Sequence, residues 1–100
     1  MHNKFHQDTL DLQQHVNKVS TLITSLTQTA TNQNAIFGAI NRELEQIDKI
    51  KTRIYDYIDK NLKTIETNPD YTKYNTIQKK FIEVLSIYDI ILSDTMPKHR

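Results

Sequence analysis

The 100 residues accommodate one hydrophobic core and leave no room for two. The absence of cysteine excludes a disulfide scaffold, a thiolate metal site and a cysteine nucleophile, and fits a reducing compartment. With 13 basic and 12 acidic residues the net charge is +1, and no basic face stands out to hold nucleic acid. One glycine and two prolines leave almost no turn chemistry for hairpins and sheets. Apolar content is low at 37% but is gathered into stripes at helical spacing, which suits an elongated helical bundle and not a disordered chain. The start of the chain, Met1 to Asp8, lacks the apolar segment of a secretory signal, and no run approaches the roughly 18 apolar residues that cross a bilayer.

Residues 4–30 read as the first helix. Phe5, Thr9, Leu12, Val16, Val19, Ile23, Leu26 and Ala30 follow alternating steps of four and three, an a/d pattern. Asn3 is a candidate N-cap, and Asp8 and Asp11 lie in the early turns where the helix dipole favours negative charge. The other positions are Gln, Asn, Ser and Thr, so packing has to stabilise this helix. Thr31-Asn32-Gln33-Asn34 breaks it, with Asn32 or Asn34 capping the next helix. So short a break makes the first two helices antiparallel neighbours.

The central helix is expected over 35–67. Ile36, Ile40, Leu44, Ile47, Ile50, Ile54, Ile58, Leu62 and Ile65 form one stripe, opposite a mixed face of acids and bases. Gly38 in its first turns either admits another helix closely or is tolerated. Thr67-Asn68-Pro69-Asp70 is the second break, with Asn68 or Asp70 as cap. A third helix follows over 70–95, striped by Tyr74, Ile77, Phe81, Leu85 with Val84, Tyr88, Ile91 with Leu92, and Thr95. Residues 96–100 form a frayed basic tail after Pro97. The expected fold is all-α: a single antiparallel up-down-up three-helix bundle over 1–100, about 40 Å long, in which the outer helices cover the central stripe.

Leu10, Leu22, Phe37, Tyr55, Ile82, Ile87 and Ile90 fall off the seams. Ile82, Ile87 and Ile90 either widen the core seam or form a second apolar face that accepts another helix. The stripes mark a partner groove of Ile50, Ile54, Tyr57 and Ile58 on the second helix and Ile82, Ile87, Ile90 and Ile91 on the third.

Catalytic chemistry finds no foothold. His2 and His6 are spaced as a helical metal pair, but only Asp8 or Asp11 could add a third ligand, so ordinary solvated histidines are expected, as is a surface role for His15. The acid pairs Glu43/Glu45, Asp56/Asp59 and Asp89/Asp94 read as helix exterior. Glu45–Lys49, Asp56–Lys60 and Asp59–Lys63 are supporting i, i+4 pairs. No phosphate loop, nucleophile elbow or cleft with facing carboxylates is present, so neither an enzyme nor a cofactor or metal site is expected. Tyr71, Tyr74 and Tyr88 are expected to pack on the bundle with their hydroxyls at its edge.

The stretch Gln78-Lys79-Lys80-Phe81-Ile82-Glu83-Val84-Leu85-Ser86-Ile87-Tyr88, a basic pair followed by two aromatics a heptad apart, resembles the third helix of the N-terminal Habc domain of syntaxin-type Qa-SNARE proteins. The Gln- and Asn-rich first helix, with its Gln13-Gln14-His15-Val16-Asn17-Lys18-Val19 core, is similar to that of endosomal and vacuolar syntaxins. The central stretch from Arg42 to Ile65 matches their second helix in length, followed by a Pro-containing loop. The resemblance implies a regulatory domain of vesicle trafficking and membrane fusion on the cytosolic face of endosomal or vacuolar membranes. It further implies a SNARE motif and C-terminal anchor beyond Arg100, and as partners a SNARE helix, its own or a cognate one, and a Sec1/Munc18-type protein. A helical subunit of a kinetochore, tethering or transcription assembly is the main alternative. A bacterial secretion-system helical protein or chaperone is another. Ile36-Phe37-Gly38 faintly resembles the Trp-x-Gly turn of such proteins, but there is no Trp and the third helix is too long for a hairpin.

Overall fold

The computed structural model describes residues 4–28 and 31–95. It contains α1 (Lys4–Gln28), α2 (Gln33–Lys60), a single 3₁₀ turn (Ile65–Thr67) and α3 (Pro69–Thr95). Among the described residues the protein is all-helical, without a strand, and measures 50 × 28 × 18 Å. The expected cap at Asn3, the stripe position Ala30 and the basic tail lie outside the described residues.

The a/d spacing of α1 yields a fully used stripe: Phe5, Thr9, Leu12, Val16, Val19, Ile23 and Leu26 are all buried. Thr9 fits among apolar neighbours because its hydroxyl donates to the Phe5 carbonyl at 2.8 Å. Thr24 and Thr27 satisfy their hydroxyls in the same way, on Ser20 and Thr24 carbonyls. At the start of α2, Asn32 has φ 59°, the left-handed region that Asn tolerates, and makes no side-chain cap. It turns the chain, and its carbonyl accepts the Ile36 N–H at 3.2 Å. Asn34 lies inside the helix. A Cβ added at Gly38 would meet Arg42 Nη1 at 3.6 Å and no other described helix, so Gly38 is a tolerated glycine and not a point of close helix approach.

α2 stops at Lys60 and does not continue to 67. The apolar period runs on, but Asn61 competes for the backbone. Its Nδ2 donates to the Tyr57 carbonyl at 2.8 Å, and its own N–H reaches Ile58 O at 3.0 Å. Its carbonyl then receives the N–H groups of Thr64 and Ile65 at 3.0 and 2.9 Å. As a result Leu62 is 63% exposed, while the 3₁₀ turn returns Ile65 to the core at 4%. Asp56 and Lys60 pair at 3.1 Å as expected, whereas the turn takes Lys63 out of helical register with Asp59. Asn68 caps α3 through Oδ1, which accepts the Asp70 N–H at 2.9 Å, and Pro69 occupies the first helical position, where its missing N–H costs nothing.

The helix that lies against both others is α1, not α2. Phe5, Leu12, Val16 and Val19 are 0–1% exposed, a fully buried stripe on which both other helices pack. The α2 and α3 backbones stay farther apart and meet through long side chains. Phe37 and Tyr88 rings lie 6.2 Å apart, Tyr55 and Tyr74 meet edge-on at 6.4 Å, and Lys51 Nζ sits 5.2 Å from the Phe81 ring centroid.

Candidate functional site

The eight residues marked by the stripes do not form one groove. Ile50 and Ile54 are 4% and 0% exposed and belong to the core, so they line no open surface. Tyr57 stacks on Phe5 (4.7 Å between centroids, 16° between planes), which puts its ring on the α1 side of α2. Ile58 and Ile91 are half-buried against the core. Ile82, Ile87 and Ile90 are exposed. At about 100° per residue, Ile82 shares the α3 flank of Gln78 and Leu85, on the α2 side. Ile87 shares the flank of Lys80, which borders α1 near Gln13 and Asn17, and Ile90 lies on the outer surface between them.

What the structure does bring together is a seam between α2 and α3. α2 contributes Phe37, Leu44, Lys51 and Tyr55, spaced so that one flank of the helix faces α3. α3 answers with Tyr74, Gln78, Phe81 and Leu85. Lys51 Nζ lies over two rings, 5.7 Å from Tyr55 and 5.2 Å from Phe81, in cation–π contact. Tyr55 and Ile82 stand half-exposed at the rim. Beneath them Tyr74 Oη and Gln78 Oε1, one helical turn apart, are buried without a hydrogen-bond partner among the described residues.

The electrostatics follow from that geometry. The nearby Tyr74 hydroxyl, with the Lys51 ammonium, holds the Tyr55 phenol below its ordinary value. Burial, with the same Tyr55 neighbour, raises Tyr74, and burial raises Tyr88. A raised phenol keeps its full contribution to stability below the unfolded value of about 10 and loses it as pH rises through the folded value. Tyr74→Phe removes a buried hydroxyl that makes no hydrogen bond of full geometry among the described residues. It is therefore expected to leave stability at pH 7 unchanged or higher by about 1 kcal/mol, and to flatten the loss above pH ~10. Urea unfolding at pH 7 and at pH ~10.5 reads both effects. A clear loss at pH 7 would mean that the hydroxyl is well bonded.

Three polar pairs tie α1 to its neighbours. Asp8, with its side chain 3% exposed, receives Arg53 Nε and Nη2 on Oδ1 at 3.2 and 3.1 Å, and Lys4 lies 3.7 Å away. His15, expected at the surface, is half-buried and bonds Glu43 of α2 through Nδ1, so neither residue is plain exterior. His6 Nδ1 bonds Asp70 Oδ1 of α3 at 2.7 Å, and His2 lies outside the described residues. Among the described residues no group of three or more His, Asp or Glu could hold a metal ion. The heptad of α1 carried a signal for these pairs: Asp8, His15 and Leu22 are seven apart on the flank that meets α2, where charge pairs form beside a helical seam.

Among the described residues no helix is long and apolar enough to cross a membrane. Comparison of the chain with protein-family models, with characterised proteins and with solved structures returns no match.

Proposed function

We propose that this chain acts as a regulatory Habc-type domain of a syntaxin-like SNARE in vesicle trafficking and membrane fusion, binding a SNARE helix along the seam between α2 and α3. In this reading the three helices run up, down and up. The contacts Phe5–Tyr57, Asp8–Arg53 and His15–Glu43 support it, since they ascend α1 while descending α2. The contacts Tyr55–Tyr74 and Phe37–Tyr88 do the same for α2 and α3. The partners follow from the resemblance: the chain's own or a cognate SNARE motif, and a Sec1/Munc18-type protein, at the cytosolic face of endosomal or vacuolar membranes.

The observation that carries the reading is the seam itself. Two helices held apart by Lys51, Tyr55 and Phe37, with Tyr55 and Ile82 exposed at the rim, offer an elongated strip on which an amphipathic helix can lay its apolar face. The test is a titration of the isotope-labelled chain with a panel of syntaxin-type SNARE-motif helices, followed by NMR. Amide shifts clustered at Lys51, Tyr55, Gln78, Ile82 and Leu85 are expected. A panel without a binder, or shifts confined to the outer face of α1, overturns the proposal.

A second reading, a non-enzymatic subunit of a larger helical assembly, draws on Ile87 and Ile90, which are exposed away from the seam. It expects shifts to gather at those two residues instead.

A further inference from the structure

We propose that the α2/α3 seam selects a helix whose apolar stripe carries one acidic side chain, seated among Lys51, Tyr55, Tyr74 and Gln78. This rests on the reading of the seam as a helix-binding surface and names the chemistry that the partner brings to it.

The charge in the seam is one-sided. Lys51 reaches from α2 over the Tyr55 and Phe81 rings, and among the described residues its ammonium neighbours two rings and the Tyr55 hydroxyl and forms no ion pair with a carboxylate. The nearest acid along its own helix, Asp48, is exposed one turn away. A cation held over rings gains less than it would from a carboxylate oxygen in the same low-dielectric setting.

The hydrogen-bond inventory points the same way. Tyr74 Oη is buried with no hydrogen bond of full geometry, the Tyr55 hydroxyl being its nearby polar neighbour, and Gln78 Oε1 is buried with no donor among the described residues. Half a turn of the Gln78 carboxamide exchanges its oxygen for its NH₂, and the two orientations are not distinguished by shape. With that exchange, Tyr74, Gln78 and Lys51 all present donors toward the seam. A carboxylate is acceptor-only, with two oxygens, and would satisfy all three. An apolar side chain would leave both buried atoms unpaired, and a basic one would face Lys51.

Access requires one movement. Tyr55 is 50% exposed and meets the Tyr74 ring edge-to-face, and we infer that a change of its rotamer opens the way to the pair. Half-buried Leu44 and Leu85, with exposed Ile82, supply the apolar strip for the turns that flank the acid.

The experiment displays a library of amphipathic helical peptides with fixed apolar positions and one randomised position at the centre of the stripe, selected against the whole chain. Asp or Glu is expected at that position among peptides that compete for the seam. Lys51→Glu should weaken them by about tenfold or more and shift the enrichment to Lys and Arg. Lys51→Gln replaces it if the reversed charge prevents folding, with loss of the acidic preference expected. Tyr74→Phe should weaken the acidic peptides relative to their Gln counterparts. Peptides that bind the seam without acidic preference overturn this inference and leave the helix-binding reading standing. A selection that yields no seam-binding peptide overturns both.

Discussion

Ile54→Ala is expected to lower the unfolding free energy by about 4 kcal/mol, through lost burial and the cavity left behind. Ile54 is 0% exposed and sits in the core cluster with Ile47 and Ile50, so the site has little freedom to collapse. A domain of this size holds about 5–15 kcal/mol in total, so the melting temperature should fall by roughly 15–25 °C. Ile82→Ala, on a side chain 57% exposed, should stay within about 0.5 kcal/mol. Thermal melts followed by circular dichroism separate the two. A melt of the Ile54 variant within about 3 °C of the parent would mean that α2 is not seated on the core as described. The contrast also governs any search for function along α2. Ile54 precedes Tyr55, and loss of binding in an Ile54 variant would report unfolding, whereas loss in a Tyr55 variant would report the seam.

Arg53→Ala is expected to cost about 2 kcal/mol, because it strands a carboxylate whose side chain is 3% exposed. The figure sits below the range for fully buried pairs. Arg53 is itself 45% exposed and thus partly screened, and Lys4 remains 3.7 Å from Asp8. The effect is asymmetric. Asp8→Leu leaves a cation that can turn to water on its long stem, so it should cost less than Arg53→Ala. The double variant Asp8→Leu/Arg53→Met should recover part of the loss, since no buried charge is left. Urea unfolding of the parent, Asp8→Leu, Arg53→Met and Asp8→Leu/Arg53→Met gives the coupling as a double-mutant cycle, expected at about 1–2 kcal/mol. Coupling near zero would show that Asp8 is hydrated, and that the pair does not help set how α1 docks on α2.

Much of the fold is legible in the order of residues. Among the described residues the stripes of all three helices reappear as buried or half-buried faces, Leu62 excepted, and the breaks at Asn32 and at Asn68-Pro69 fall where Asn and Pro chemistry puts them. The early stop of α2 is not legible, because Leu62 and Ile65 continue the apolar period through it. A side-chain bond from Asn61 to Tyr57 O decides against the pattern. The candidate site is legible only in part. Tyr55 and Ile82 stand out as apolar residues off the stripes, and both are at the rim of the seam. Ile50 and Ile54, at the centre of their stripe, are core. Periodicity tells a buried face from an exposed one but not which flank of that face meets which neighbour. For the same reason Tyr57 lies against Phe5 on the α1 side, and Ile87 on the α3 flank that borders α1.

What the amino-acid sequence determines by itself is therefore local: three helices, their approximate spans, and the stripe that each must bury. These depend on spacing and backbone chemistry within single segments. The tertiary structure alone decides that α1 lies against both other helices, that Asp8 is buried on Arg53, and that two buried polar atoms of α3 lack a well-formed hydrogen bond among the described residues. Those outcomes depend on the relative size of side chains brought together from distant parts of the chain. The stripe of α1 is buried under both other helices, while Phe37, Lys51, Tyr55 and their α3 partners stand between α2 and α3, whose backbones stay farther apart.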